Sequence, residues 1–357
     1  LNPQTNPKTS SKSKSLKALS GFTIVVLLLG FAAHPLDSVA AQIGSNTTIS
    51  GNAGNTGANI TASSNTSTNG TKIHEKAQVN HQALLTLRQT LRLDSQTYRD
   101  ALLAARNSYE HAIQTARFNH QQAEQTNLQT FNTARDAIME TFKTATQGAH
   151  GNVQVMVTAM TARDSALTTA MSARATADMN NDVTRDKTFT SANLALVSAD
   201  FAALVTRDNS NGAAKQTFDS AIGANSTITT RDQTISNARV TYDQAIGAAR
   251  ETKINADGNA TVTFDQAIDT AQQTKTTAVA NADQAKDAAY STNPKTDAQN
   301  NAARATAVGN ANVAYDQSAS AAAQARATAT WNALQARDQS YANAEAAYYS
   351  TVASAYP

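Results

Sequence analysis

The chain contains no cysteine, which excludes disulfides, thiolate metal sites and cysteine nucleophiles. Proline is nearly as scarce. There are five in 357 residues, and none between Pro35 and Pro294, so nothing in that stretch forbids long helices. Charged residues make up 16% of the chain and aromatics 5%. Leu, Ile, Val and Phe together number only 58, about 16%, below the roughly 20% at which a conventional core becomes doubtful. The net charge of +2 is too small for disorder by charge repulsion. What fills the chain instead is alanine, its commonest residue, among Thr, Asn, Gln, Ser and Asp. Such a composition makes helix readily and core poorly.

The N-terminal segment 1–41 reads as a secretory signal. Lys8, Lys12, Lys14 and Lys17 form a basic region, and Phe22 to Ala33 an apolar run too short to span a bilayer comfortably. Small residues at Ser38-Val39-Ala40 and Val39-Ala40-Ala41 place cleavage near Ala40 or Ala41, giving a secreted or cell-surface product. Gly21-Phe22-Thr23-Ile24 also resembles the prepilin cleavage motif of type IV pilins, although Ser20 stands where that family has Lys or Arg. Residues 1–41 carry four Lys and Asp37, so the remainder has 25 basic and 26 acidic residues, a net of −1. A basic surface for nucleic acid is therefore not expected.

Residues 42–72 read as a disordered Ser/Thr/Asn/Gly-rich linker, because they hold no charge before Lys72 and almost nothing apolar to bury. Asn46, Asn59, Asn65 and Asn69 begin Asn-X-Ser/Thr triplets, acceptors in a host that N-glycosylates exported chains. A chain this rich in Asn and Thr also generates such triplets by composition alone.

From residue 73 the sequence repeats with a period of eleven. Tyr98, Tyr109, His120, Phe131 and Phe142 form one column, Ala238, Ala249, Ala260, Ala271 and Ala282 another, and Thr230, Thr241, Thr252, Thr263 and Thr274 a third. Arg163-Asp164, Arg185-Asp186 and Arg207-Asp208 recur at twice that period. Such a period makes three helical turns at about 3.67 residues per turn, the hendecad of a right-handed supercoil. The expected fold is all-α: long alanine-rich helices in an extended coiled coil or an elongated helical bundle, preceded by the linker. The predicted packing seam comprises Tyr98, Ala101, Leu102, Tyr109, Ala112, Ile113, Phe131, Ala134, Phe142, Val153, Met156, Met160, Phe218, Tyr242, Ala245, Ile246, Phe264, Ala267, Ile268, Tyr315 and Tyr348.

The helical region is predicted over 73–290, with candidate breaks near 148–151 and 209–226, followed by a C-terminal helix over 295–357. Phase runs unbroken from Phe142 to Val153, which favours one continuous rod of about 330 Å at 1.5 Å per residue. The alternative is an antiparallel bundle folded at 148–151, 209–212, 223–226 and 291–294. Thr, Asn, Ser and Asp each cost up to about 0.7 kcal/mol relative to Ala in a helix, so helix–helix association must supply stability. The expected partner is the chain itself, as a homo-oligomer or fibre, with the cell envelope a further candidate.

Catalytic chemistry is not evident. The six histidines show no metal-ligand spacing, and there is no phosphate loop or nucleophile elbow. No catalytic, cofactor or metal residues are assigned, and no small-molecule substrate is expected. Asp219, Asp243 and Asp265 each follow an aromatic residue, and are read as the solvated flank of the seam. Trp331, Tyr341, Tyr348, Tyr349 and Tyr356 concentrate aromatics near the C-terminus, as packing of the last helix or as a docking surface.

The functional expectation is a secreted, non-enzymatic structural protein, an extended helical stalk, fibre or surface spacer. Thr270-Ala-Gln-Gln-Thr-Lys-Thr-Thr-Ala and Ala282-Asp-Gln-Ala-Lys-Asp-Ala-Ala resemble repeats of late-embryogenesis-abundant proteins, with which apolipoproteins and perilipins share the hendecad period. That resemblance implies an amphipathic surfactant or stress-protection protein. The threonine column resembles alanine-rich antifreeze proteins of fish, which implies ice binding.

Overall fold

The computed structural model describes residues 65–149 and 151–356, and of 65–71 and 294 the backbone alone. The signal-like segment, with Ala40 and Ala41, and the triplets at Asn46 and Asn59 lie outside the described residues, as do His150 and the side chains of Asn65 and Asn69. The described chain is all-α, as its composition predicts. Four long helices follow one another: α1 (Asn65–Gln147), α2 (Val153–Ile222), α3 (Ser226–Thr292) and α4 (Asp297–Ser354), with a 3-10 turn at Pro294–Thr296. The first helix begins at Asn65, so residues 65–72, assigned to the linker from composition, are helical.

The continuous rod is not what forms. The chain reverses three times, and each reversal uses an asparagine. At the first, Gly151 adopts φ 81°, and the Asn152 side chain accepts hydrogen bonds from the N–H groups of Gln154 and Val155 at 3.0 and 3.3 Å. At the second, Gly223 sits at φ 68°, the Ala224 N–H donates to Asp219 O, and Asn225 caps Ile228 N at 2.9 Å. At the third, Asn293 receives Lys295 N–H ahead of a helical turn opened by Pro294. Left-handed glycines and Asn caps satisfy the orphan groups at helix ends. By contrast 209–212 stays helical, for Gly212 serves another purpose described below.

Phase survives the first turn for a geometric reason. The column 98–142 continues into 164, 186 and 208, but those residues face α3 instead of α1. One column thus serves two different interfaces, and its continuity in sequence carries no information about continuity of the helix.

Among the described residues, α1 packs on α2, α2 on α3 and α3 on α4, and no other pair of long helices approaches within 8 Å between Cα atoms. Helices α2 and α3 each have two covered faces, and α1 and α4 one. The covered residues are mostly small. All five alanines of the column 238–282 are buried, with Ala159, Ala280, Ala311 and Ala344, beside a few larger residues: Ile113, Val157, Val183, Phe201 and Ile246. No described side chain is completely enclosed. Phe201, Ile246 and Ala344, one from each of α2, α3 and α4, form a small apolar cluster with Tyr242 and Tyr341 beside it. Among the described residues one helix, α2, is long and apolar enough by length and composition to cross a membrane. Here the same helix is packed against both α1 and α3.

Candidate functional site: ring–cation and carboxyl pairs between helices

The α1–α2 interface is organised by rings on α1 facing arginines on α2. Arg163 lies 4.6 Å from the Phe142 ring centroid, Arg174 5.5 Å from Phe131, and Arg207 5.0 Å from Tyr98. Each backward step along α1, whether one repeat or three, is matched by an equal forward step along α2. The intervening pair places His120 beside Arg185, at 3.2 Å, and His120 Nε2 lies 2.8 Å from Asp182 Oδ1. His120 thus holds the place of a ring in the column. A guanidinium over an aromatic face is attracted by the ring quadrupole. The arrangement suits a seam too poor in large apolar residues to be held by burial alone. Tyr98 also donates its hydroxyl to Asp200 Oδ1 at 2.8 Å, and burial together with that carboxylate pushes its phenol pKa up to about 12.

The same logic governs α3 and α4 with ring and cation exchanging sides. Arg326 of α4 lies 5.3 Å from the Phe264 ring, Lys275 of α3 lies 5.0 Å from Tyr315, and Tyr242 meets Tyr348 at 5.7 Å. Arg250 Nε donates to Tyr341 OH at 2.8 Å while its guanidinium covers Phe201, so one side chain ties α2, α3 and α4.

Between α2 and α3 the contacts are of two kinds. First, a small residue on one helix opposes a side chain on the other. A Cβ on Gly258 would lie 2.4 Å from Thr190 Oγ1, one on Gly247 2.8 Å from Phe201 Cγ, and one on Gly212 2.1 Å from Ser236 Oγ. These positions also advance by one repeat on each helix. Second, aspartates face aspartates. Asp208 meets Asp243, Asp186 meets Asp265, and Asp219 meets Asp232, each within hydrogen-bonding reach, and Asp164 approaches Asp287. In every pair one member directly follows an arginine that binds it: Arg163 at 2.6 Å, Arg185 at 2.7 Å, Arg207 at 2.7 Å and Arg231 at 3.1 Å. Arg163, Arg185 and Arg207, like Arg174, also face the α1 column. Each of the first three therefore connects a ring or imidazole on α1 to a carboxylate at the α2–α3 interface.

These aspartates are not the solvated flank that the sequence suggested. Asp219 is 3% exposed and Asp243 8%. The residue before Asp243 and Asp265 explains their burial. Tyr242 and Phe264 turn toward α4, which places Asp243 and Asp265, about 100° further around the helix, against α2. The signal that would have found the pairs is their shared spacing: 164, 186 and 208 on one helix, 243, 265 and 287 on the other, all in steps of two repeats.

Most predicted seam residues lie at interfaces. Tyr98, Leu102, Tyr109, Ala112, Ile113, Phe131, Ala134, Phe142, Met160, Phe218, Tyr242, Ala245, Ile246, Phe264, Ala267, Ile268, Tyr315 and Tyr348 are buried or half-buried. Ala101, Val153 and Met156 are exposed. Ala101 flanks a line that passes through 98, 102, 105 and 109. Val153 and Met156 open α2 beside the turn, where α1 has already ended; Val157 and Ala159 are the buried residues there. The C-terminal aromatics divide, with Tyr341 and Tyr348 packed on α3 and Trp331, Tyr349 and Tyr356 exposed. Among the described residues no three metal-ligating side chains cluster. Comparison with family models, with curated proteins and with solved structures finds no match to the chain.

Proposed function

We infer that the chain is a non-enzymatic structural protein, an exported helical spacer or stalk whose length is set by antiparallel helices zipped in a hendecad register. The observation that carries this reading is the matched stepping in multiples of eleven residues at all three interfaces, from Phe142–Arg163 to Tyr98–Arg207, from Thr190–Gly258 to Gly212–Ser236 and from Lys275–Tyr315 to Tyr242–Tyr348. A hendecad supercoil is the natural description of that register. Side chains that would serve catalysis elsewhere are here engaged with one another along the helices. Export rests on the basic and apolar segments before Ala40. Self-association along the uncovered faces of α1 and α4 extends the spacer into a fibre or oligomer, at a cell surface or in the medium.

Folding back shortens the expected reach. The longest helix, α1, has 83 residues, about 125 Å at 1.5 Å per residue. Electron microscopy or small-angle scattering of the purified chain tests this. At that rise a helical body of about 100–125 Å supports the spacer, and a particle under about 80 Å, too short to hold α1 intact, would contradict it.

Two other readings have an observation each. The surfactant reading draws on Leu93, Leu103 and Phe118, exposed along α1 at 58–61%. It requires that helix content depend on lipid or drying, so strong circular dichroism in plain buffer argues against it. The ice-binding reading draws on Thr230, Thr241, Thr252, Thr263 and Thr274, all exposed on α3. Absence of thermal hysteresis would remove it.

A further inference from the structure

Two ionised carboxylates at hydrogen-bonding distance repel, and with burial the cost rises steeply. The α2–α3 interface holds three such pairs, and in a fourth Asp164 approaches Asp287 without a hydrogen bond between them. The two members of each are not equivalent. Asp164, Asp186, Asp208 and Asp232 have arginine partners, as described. Their counterparts Asp287, Asp265, Asp243 and Asp219 each retain a buried Oδ2 with no hydrogen-bond partner; among the arginine-bound members Asp208 Oδ2 also accepts no hydrogen bond, although it is ion-paired with Arg239. Asp287, Asp243 and Asp219 are themselves less than one-tenth exposed. With both groups ionised, two acceptors face each other and no donor lies between them. A proton on the orphan oxygen turns that oxygen into a donor aimed at the arginine-bound carboxylate, and satisfies both groups at once.

We propose that the α2–α3 interface is a proton-locked seam, in which Asp219, Asp243 and Asp265 take up protons from solvent as the helices close, and each donates to the arginine-bound aspartate opposite. The layer is thereby pH-responsive, firm in mildly acidic surroundings and loosened toward alkaline pH. This goes beyond the spacer reading and does not depend on it.

The charged groups facing each pair fit the assignment. Around Asp208 and Asp243 they are Arg207 on α2 and Arg239 on α3, the latter 2.7 Å from Asp208 Oδ2. Around Asp186 and Asp265 they are Asp182 and Arg185 of α2, with His120 of α1 behind them. Around Asp219 and Asp232 they are Lys215, 2.9 Å from Asp232 Oδ2, and Arg231, with Tyr356 beyond. Around Asp164 and Asp287 they are Arg163, Lys286, Asp283 and, from α4, Arg304. In the first three sets the cations bind the arginine-bound member; in the fourth Arg163 binds Asp164, while Lys286 adjoins Asp287 and Arg304 binds Asp283. Burial, then the facing aspartate, raises Asp243 and Asp265 to about 7, and Asp219 and Asp287 are raised by burial and by their neighbouring carboxylates. Asp232 is lowered by its bonds to Lys215 and Arg231, which outweigh burial.

The sign follows from linkage. A carboxyl raised in the folded state binds more protons folded than unfolded between its ordinary value, 3.8, and its folded value. Its contribution is complete below about 4 and is lost as pH rises toward 7. Asp232 runs the other way, losing its contribution only in stronger acid.

The test is denaturant unfolding of the full chain at pH 4.5 and 7.5, compared with the variants Asp243→Asn and Asp265→Asn. An amide supplies the donor that the proton supplies, at every pH. Each substitution is expected to reduce the pH-driven change in the unfolding constant by on the order of a hundredfold, with the gain appearing at pH 7.5. An unchanged pH response in both variants overturns the proposal. If a variant does not fold, infrared spectroscopy of the unaltered chain near pH 6 decides. A protonated-carboxyl band present when folded and lost on unfolding supports the seam, and its absence in the folded chain overturns it.

Discussion

The ring of Phe201 occupies the space that a side chain at position 247 would need: a methyl group on Gly247 would lie 2.8 Å from Phe201 Cγ and 3.1 Å from its Cβ. Both residues are buried, and Ile246 beside them belongs to the same cluster. The contact specifies which face of α3 meets α2, because only glycine lets the backbone come under the ring.

Gly247→Ala is therefore expected to destabilise the chain by about 1–3 kcal/mol through overpacking, despite alanine's better helix propensity. Gly309→Ala is the control. That glycine is helical with nothing within 4 Å of an added Cβ, so the same change should stabilise by about 0.5–1 kcal/mol. Equilibrium denaturation of both variants checks the opposite signs.

The arginine ladder predicts coupling between side chains far apart in sequence. In a double-mutant cycle, Phe142→Leu and Arg163→Gln should interact by about 0.5–1 kcal/mol. Strictly additive effects would remove the ring–cation contact from the account.

The phenol of Tyr98 is expected to resist ionisation until about pH 12 while the helices remain folded. A phenol with a raised folded pKa contributes stability that is present below its ordinary value of 10 and lost as pH rises through 12. Ultraviolet titration of the chain against Tyr98→Phe should show one late-titrating phenol disappear. Asp200→Asn should bring that phenol to lower pH, because it removes the facing carboxylate.

The turns carry their own prediction. Asn225→Ala leaves Ile228 N–H without its cap and should cost about 1 kcal/mol. Gly223→Ala places a Cβ at φ 68° and should cost about 1 kcal/mol as well. The two together should loosen the α2–α3 reversal, seen as faster amide exchange near Ser220 and Thr229.

Much of the architecture was legible from spacing. The buried column Ala238–Ala282 and the half-buried rings at Tyr98, Phe131 and Phe142 recur at a spacing of eleven residues or a multiple of it. Topology was less legible, because the short turn between Gln147 and Val153 keeps the period while exchanging the neighbour. Gly212 shows a related ambiguity. Next to Asn209 and Asn211 it reads as a breaker, yet it remains helical because its missing side chain makes room for Ser236. The aspartate pairs were hidden for a different reason. Spacing reveals that a position recurs, but whether a polar column faces water or another helix depends on the second interface of each helix. Only the tertiary arrangement supplies that.

The whole arrangement of helices depends most on the chain folding back in register at 148–152. With no native cysteine, labels can be placed singly. Arg99 and Thr206 are exposed neighbours of the Tyr98–Arg207 pair. Spin labels on Arg99→Cys and Thr206→Cys should give a narrow distance distribution within about 30 Å, set by helices about 10 Å apart and two label arms. A continuous helix would separate those positions by about 160 Å. Absence of any measurable dipolar coupling would contradict the account.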